Sequence, residues 1–254
     1  MIIDFHVHAA THRSSPFRDV KRFKPIVEFA LELGIDRLCV SSIRYPEANE
    51  DVLRLMEAFP ERILGFCYLS PLSKNPSKEL RRWIVNHGMV GLKVHEEGDW
   101  RLSRLLELSS LFDEAADLEV PVLIHSWHEQ RGLPPGAEKH LGRARFPVDL
   151  MRKVAERCPR TVFIFAHMGG CWEKAVKAVE PYRNVYLDTS GFDPEMGIVE
   201  MAVERLGAER VIYGSDAPGR SFAAQVAKVI YADISEADKR LILGENAAKI
   251  LRLG

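Results

Sequence analysis

The chain has no Cys-x-x-C pair, no surplus of charge of either sign and no long apolar run, and each absence removes a class of protein. Its four cysteines, Cys39, Cys67, Cys158 and Cys171, are far apart. Cys39 and Cys67 lie inside apolar segments, where a thiol serves as a small hydrophobe. A disulfide framework is therefore not expected. Lys and Arg number 35 against 36 Asp and Glu, a net charge of −1. Such a balance gives no electrostatic pull toward nucleic acid or an anionic membrane, and neither is expected as a partner. No stretch approaches the ~20 apolar residues that span a bilayer. The first residues run from Ile2 and Ile3 straight into Asp4 and His6, without the basic-then-apolar order of a signal peptide. A cytoplasmic location is the expectation. Internal repeats and low-complexity tracts are absent as well.

What the chain does have is core. Of its 254 residues 46% are hydrophobic and 28% charged, the balance of a globular protein. Length alone fits two small domains or one large α/β barrel. The pattern along the chain decides between them. β-rich apolar runs at residues 2–7, 36–41, 62–68, 89–95, 120–125, 161–166, 184–189 and 210–214 alternate with amphipathic stretches. The latter cover 25–34, 47–59, 77–87, 101–118, 147–157, 171–182, 195–206 and 221–231, with an extra C-terminal helix over 235–251. Eight β/α units without a linker predict a single-domain (β/α)8 TIM barrel over residues 1–254. Gly34 and Gly207 fit helix stops, Pro147 a first helical turn, and Ser235 with Asp238 a capping box. The connection from Ser126 to Phe146 is too long for a spacer and reads as a lid or binding loop.

The most informative motif is Asp4-Phe5-His6-Val7-His8. Regular strand alternation would put Asp4, His6 and His8 on one face, and two imidazoles at that spacing can share a metal ion. The rest of the chain supplies further ligands at strand ends. His125 ends the fifth strand, His167 the sixth (Phe165-Ala166-His167-Met168-Gly169-Gly170), and Asp216 the eighth (Gly214-Ser215-Asp216-Ala217-Pro218). Barrel enzymes build their sites at this C-terminal face, so the five residues converge by topology. Three neutral imidazoles and one carboxylate suit one divalent ion, zinc first, with manganese, iron or cobalt as alternatives. Asp4 reads as a supporting group that orients an imidazole.

Together with Gly244-Glu245-Asn246-Ala247-Ala248-Lys249-Ile250-Leu251, this set resembles the amidohydrolase superfamily. It is most similar to the amidohydrolase 2 branch of metal-dependent barrel hydrolases and aromatic-acid decarboxylases. The resemblance runs from Asp4 to Leu251. It implies a metal held by His6, His8, His125 and Asp216, with His167 just beyond it acting on the bound water. In binuclear relatives a lysine ending the fourth strand is carbamylated; Lys93 occupies that place. Here it reads instead as a cation that orients substrate or pairs with a carboxylate. Homodimers are common in the branch, which makes a homodimer the expected oligomer if the chain assembles.

Substrate contacts are expected from Lys93 and His95, which share a face of the fourth strand, and from His128 and Arg131 on the long loop. Arg13 and Arg44 could help clasp an anion. The expected reaction is hydrolysis of an amide, lactone or similar bond in a small molecule. A metal lowers the pKa of its water toward ~7, and His167 or Asp216 moves the proton. The first rival keeps the site and becomes a non-oxidative decarboxylase of an aromatic or unsaturated acid. A second is a nuclease resembling the TatD group, which usually carries a glutamate where this chain has Lys93. A barrel serving only as a scaffold would lack ligands, and none is missing.

Overall fold

The computed structural model describes residues 1–253 apart from 46, 98–100, 127–147 and 192–194. Eight strands lie in one sheet in chain order, every neighbouring pair parallel. They are β1 (Ile2–Ala10), β2 (Ile35–Ser42), β3 (Ile63–Tyr68), β4 (Gly91–Val94), β5 (Val122–Ile124), β6 (Phe163–Phe165), β7 (Val185–Asp188) and β8 (Val211–Ile212). The sheet closes on itself through backbone bonds between the segment after β8 and β1. Phe5 N donates to Tyr213 O (3.0 Å), Asp216 N to His6 O (2.7 Å) and His8 N to Ala217 O (2.8 Å). The seam thus runs through the residues expected to bind metal, and the architecture is the (β/α)8 barrel.

Helices α1 (Val20–Glu32), α2 (Ala48–Ala58), α3 (Pro76–Arg81), α4 (Ser109–Asp117), α5 (Asp149–Arg157), α6 (Trp172–Val179), α7 (Ile198–Leu206) and α8 (Phe222–Ile230) follow the strands in turn. Helix α1 begins five residues before the expected Pro25. Asp19 caps it by accepting the N–H groups of Lys21 and Arg22, so Pro25 sits inside the helix rather than at its start. The stretch expected to be helical from 101 opens with a 3₁₀ segment, Leu102–Leu108, before α4. Ser235 caps α9 (Glu236–Arg240), but its hydroxyl donates to the Asp238 carboxylate, so the reciprocal half of a capping box is not made. A π turn (Leu241–Glu245) joins α9 to α10 (Asn246–Ile250), forming the extra C-terminal helix. Pro147 and the long connection lie outside the described residues.

The Gly244-Glu245-Asn246 motif closes the bottom of the barrel. Asn246 Nδ2 donates to Ala208 O (2.7 Å) and Val211 O (2.9 Å), while Tyr213 N donates to Ile242 O (2.9 Å). A Cβ at position 244 would sit 2.1 Å from the Met1 carbonyl oxygen, so only glycine lets the two backbones meet.

Alternation sorts the strand residues. Val40, Leu92, Val94, Val122, Ile124, Leu187 and Val211 pack with the helices. Ile3, Phe5, Cys39, Phe66, Leu123, Ile164 and Ile212 fill the lower barrel, with the Phe5 and Phe66 rings edge-to-face at 5.2 Å. In β1 the alternation breaks. Three steps from Asp4 to Val7 match two from Leu38 to Val40 on β2, the signature of a β-bulge. Phe5 stays in the lower core while His6 and His8 turn to the mouth. The expectation that Asp4 shares their face is therefore wrong. Among the described residues no helix is long and apolar enough to cross a membrane.

Candidate metal centre

The bulge in β1 places His6 and His8 with their Nε2 atoms 3.1 Å apart. Asp216 brings Oδ1 within 3.8 Å of the first and 3.6 Å of the second. The ligating atoms of these three residues lie within 4.8 Å of one another. A second grouping of the same kind joins His6, His167 and Asp188. His125 stands beside the cluster: its Nδ1 is 3.2 Å from His167 Nε2, and its ring stacks on that of His95, centroids 4.2 Å apart.

Two segments hold this geometry under backbone strain. His167 and Met168 have φ of +56° and +47°, followed by Gly169 and Gly170, also at positive φ. Asp216 has φ of +62°. Left-handed backbone costs a residue with a Cβ about 1–3 kcal/mol and clusters at functional sites. His167 N donates to Asp188 Oδ1 (2.8 Å) and Asp216 N to His6 O, which over-determines both turns.

A divalent ion fits what these residues offer. Burial drives the protonation of His6, His8, His125 and His167 well below the ordinary imidazole range, with nearby positive charge from Lys93 adding to it. The rings are neutral, the form that binds metal. Asp188 Oδ2 lies 2.8 Å from His6 Nδ1, and a carboxylate oxygen there requires a ring N–H, leaving a lone pair on His6 Nε2. His8 Nδ1 is likewise anchored, 3.0 Å from Ser41 Oγ. Two anchored imidazoles facing each other at 3.1 Å, with a carboxylate beside them, suit a cation bonded at ~2.0–2.2 Å to each ligand. Sulfur ligands are absent from both groupings among the described residues.

The charged groups around the cluster are also perturbed. Lys93 is fully buried on β4, its Nζ 2.8 Å from His6 Nε2. Burial lowers its ammonium to about 8, against the pull of Asp188 and Asp216. Burial raises the Asp216 carboxyl to about 6, opposed by Lys93. His95 donates from Nδ1 to Glu96 O (3.1 Å) and is buried at the mouth. His128 and Arg131 lie outside the described residues. Arg13 pairs with Glu47 (2.5 Å) at the surface.

Asp4, expected to orient an imidazole, supports the site through backbone rather than through a ring. Asp4 Oδ1 accepts the backbone N–H groups of His6 (3.1 Å) and Ser215 (2.9 Å), so it braces the seam. The carboxylate on the His6 ring is Asp188, with Ser190 beside it. The available signal was position: Asp188 ends β7 as His167 and Asp216 follow their own strands.

A family model described as amidohydrolase matches residues 3–253, and the chain belongs to that family. A curated relative, the 2-amino-3-carboxymuconate-6-semialdehyde decarboxylase of Dictyostelium discoideum, is 24% identical over 240 residues. The match takes in 81% of this chain and 65% of that relative, so the chain spans just under two thirds of its length. The fold is shared with 2,6-dihydroxybenzoate decarboxylase from Rhizobium, with a TM-score of 0.77 and 19% identity over 99% of this chain and 98% of that one. It is shared too with a dihydroxybenzoic acid decarboxylase from Polaromonas sp. JS666 solved with manganese and 2-nitroresorcinol. That likeness has a TM-score of 0.73 and 19% identity over 99% and 97% of the two chains.

Proposed function

We propose that the protein is a divalent-metal-dependent, non-oxidative decarboxylase of a small aromatic or unsaturated carboxylic acid. The observation that carries the reading is the cluster of neutral imidazoles and Asp216 at the barrel mouth, next to a buried lysine. Decarboxylation is preferred to the hydrolysis expected from sequence because the similar proteins reported above are decarboxylases.

In this reading His6, His8 and Asp216, joined by His125, hold the ion, with manganese or zinc the candidates. The bound metal supplies an electrophile that anchors the oxygen groups of an anionic substrate. Lys93 adds fixed positive charge that the low-polarity interior does not screen. His95, at the rim of the cluster, contacts the substrate, and His128 and Arg131 are proposed to reach it from the long connection. The carbon–carboxylate bond breaks to release carbon dioxide, and the carbon takes one proton in its place. His167, beside the cluster, is proposed to carry that proton, which it first takes up at Nε2 because its resting Nδ1–H is turned to Ser190. Its strained backbone and fixed Nδ1 keep the ring from turning away.

The test is carbon dioxide release from hydroxylated benzoic acids and unsaturated dicarboxylic acids by manganese- or zinc-loaded protein. Metal-dependent release that disappears in His167→Asn supports the proposal. Hydrolysis of amide or lactone panels without any carbon dioxide release overturns it in favour of the hydrolase.

A further inference from the structure

We infer that Asp188 and Ser190 are positioning residues that set, by one directed chain of hydrogen bonds, which nitrogen of His6, His167 and His125 carries the proton. The inference rests on the metal site proposed above but not on the reaction carried out there.

Asp188 is fully buried and saturated with donors. Its Oδ1 accepts the backbone N–H groups of His167 (2.8 Å) and Ser190 (3.0 Å) and the Ser190 hydroxyl (2.5 Å). Its Oδ2 lies 2.8 Å from His6 Nδ1. As a carboxylate it can only accept, so His6 carries its proton on Nδ1 and presents a lone pair at Nε2. Lys93 Nζ, 2.8 Å from that atom, can only donate to it. The two ends of the His6 ring therefore demand the same tautomer.

The second branch passes through Ser190. A hydroxyl has one proton, and this one goes to Asp188. Ser190 Oγ is left only lone pairs for the two ring nitrogens beside it, His6 Nδ1 at 3.0 Å and His167 Nδ1 at 2.9 Å, so His167 must donate from Nδ1. Its Nε2 then holds a lone pair facing His125 Nδ1 at 3.2 Å. His125 in turn donates from Nδ1, which leaves its lone pair on Nε2. One carboxylate thus sets the tautomers of two proposed ligands and of the proposed proton carrier, whose Nε2 is left open to take up a proton. Gly191 completes the device: a Cβ there would sit 2.8 Å from His167 Nδ1.

The test reads imidazole nitrogen-15 chemical shifts, which separate protonated from lone-pair ring nitrogens, in the metal-free full chain. Wild-type His6, His167 and His125 are expected to show protonated Nδ1 and lone-pair Nε2. In Asp188→Asn the two backbone N–H groups hold the amide oxygen in the Oδ1 place, so the amide N–H₂ faces His6 Nδ1. His6 should move its proton to Nε2, and affinity for manganese, followed calorimetrically, should fall about 10–100-fold. In Ser190→Ala, Asp188 keeps both backbone donors, so the fold is not threatened. There His167 and His125 should lose their single tautomer while His6 retains its own.

A wild-type His6 or His167 with a lone pair at Nδ1 overturns the inference. So does a Ser190→Ala spectrum in which His167 and His125 are unchanged. Wild-type protein that shows these tautomers but releases no carbon dioxide would refute the proposed reaction alone.

Discussion

The upper and lower halves of the barrel interior are built on the same strands a residue or two apart, yet they hold together in opposite ways. Below, Ile3, Phe5, Cys39, Phe66, Leu123, Ile164 and Ile212 pack as an apolar core with no directional demands. Above, His6, Lys93, His167, Asp188 and Ser190 are just as buried, but each is fixed by hydrogen bonds whose donors and acceptors must agree. The lower half is additive: a lost methylene costs its own burial and cavity. The upper half is conditional, since one reversed donor propagates from Asp188 to His125. Its backbone is strained at His167 and Asp216, so it stores cost that the lower half offsets.

The comparison can be broken at several points. Removal of metal with a chelator is expected to abolish carbon dioxide release completely, and added manganese to restore it. Circular dichroism should not change, because the lower half maintains the fold. Phe66→Ala addresses the other half. It removes the ring against Phe5 and should destabilise by about 3–5 kcal/mol, measured by denaturant titration, while the folded fraction keeps its full metal stoichiometry. Loss of metal along with stability in this variant would show that the halves are not separate. Asn246→Ala leaves the buried carbonyls of Ala208 and Val211 without their donor. A loss of about 1–3 kcal/mol is expected, again without effect on metal. Asp216→Gly should act in the reverse sense. Glycine relieves the left-handed backbone at φ +62°, and the metal-free protein should gain about 1 kcal/mol, a rise of roughly 2–4 °C in Tm for a chain of this size. Metal binding should be lost in the same variant. A lower Tm for metal-free Asp216→Gly would mean that the turn is not strained.

The lower half and the alternation of elements were legible in the sequence because burial repeats with a fixed period. All eight strands fall within the segments that periodicity marks, except that β1 and β2 extend beyond them. The upper half was legible only where a rare residue type marks a strand end. His6, His8 and Asp216 stand out, and the structure brings them together. Asp188 and Ser190 did not, because an Asp-Thr-Ser segment after a strand is as common as a turn. Asp4 was misread because strict alternation carries no sign of a bulge. A single extra residue in β1 moves its carboxylate from the rings to the backbone of the seam. The left-handed turn at Asp216 was equally hidden, since a non-glycine residue at positive φ is held there by the hydrogen bond to His6 O rather than by local preference.

The most direct test of the account is elemental analysis of the purified protein after reconstitution with manganese or zinc, beside His8→Ala and Asp216→Ala. One equivalent of metal in the wild type, lost in both variants with the fold intact, is the predicted result. A wild type that takes up no metal at neutral pH, or variants that retain it fully, would contradict a metal centre at the mouth of this barrel.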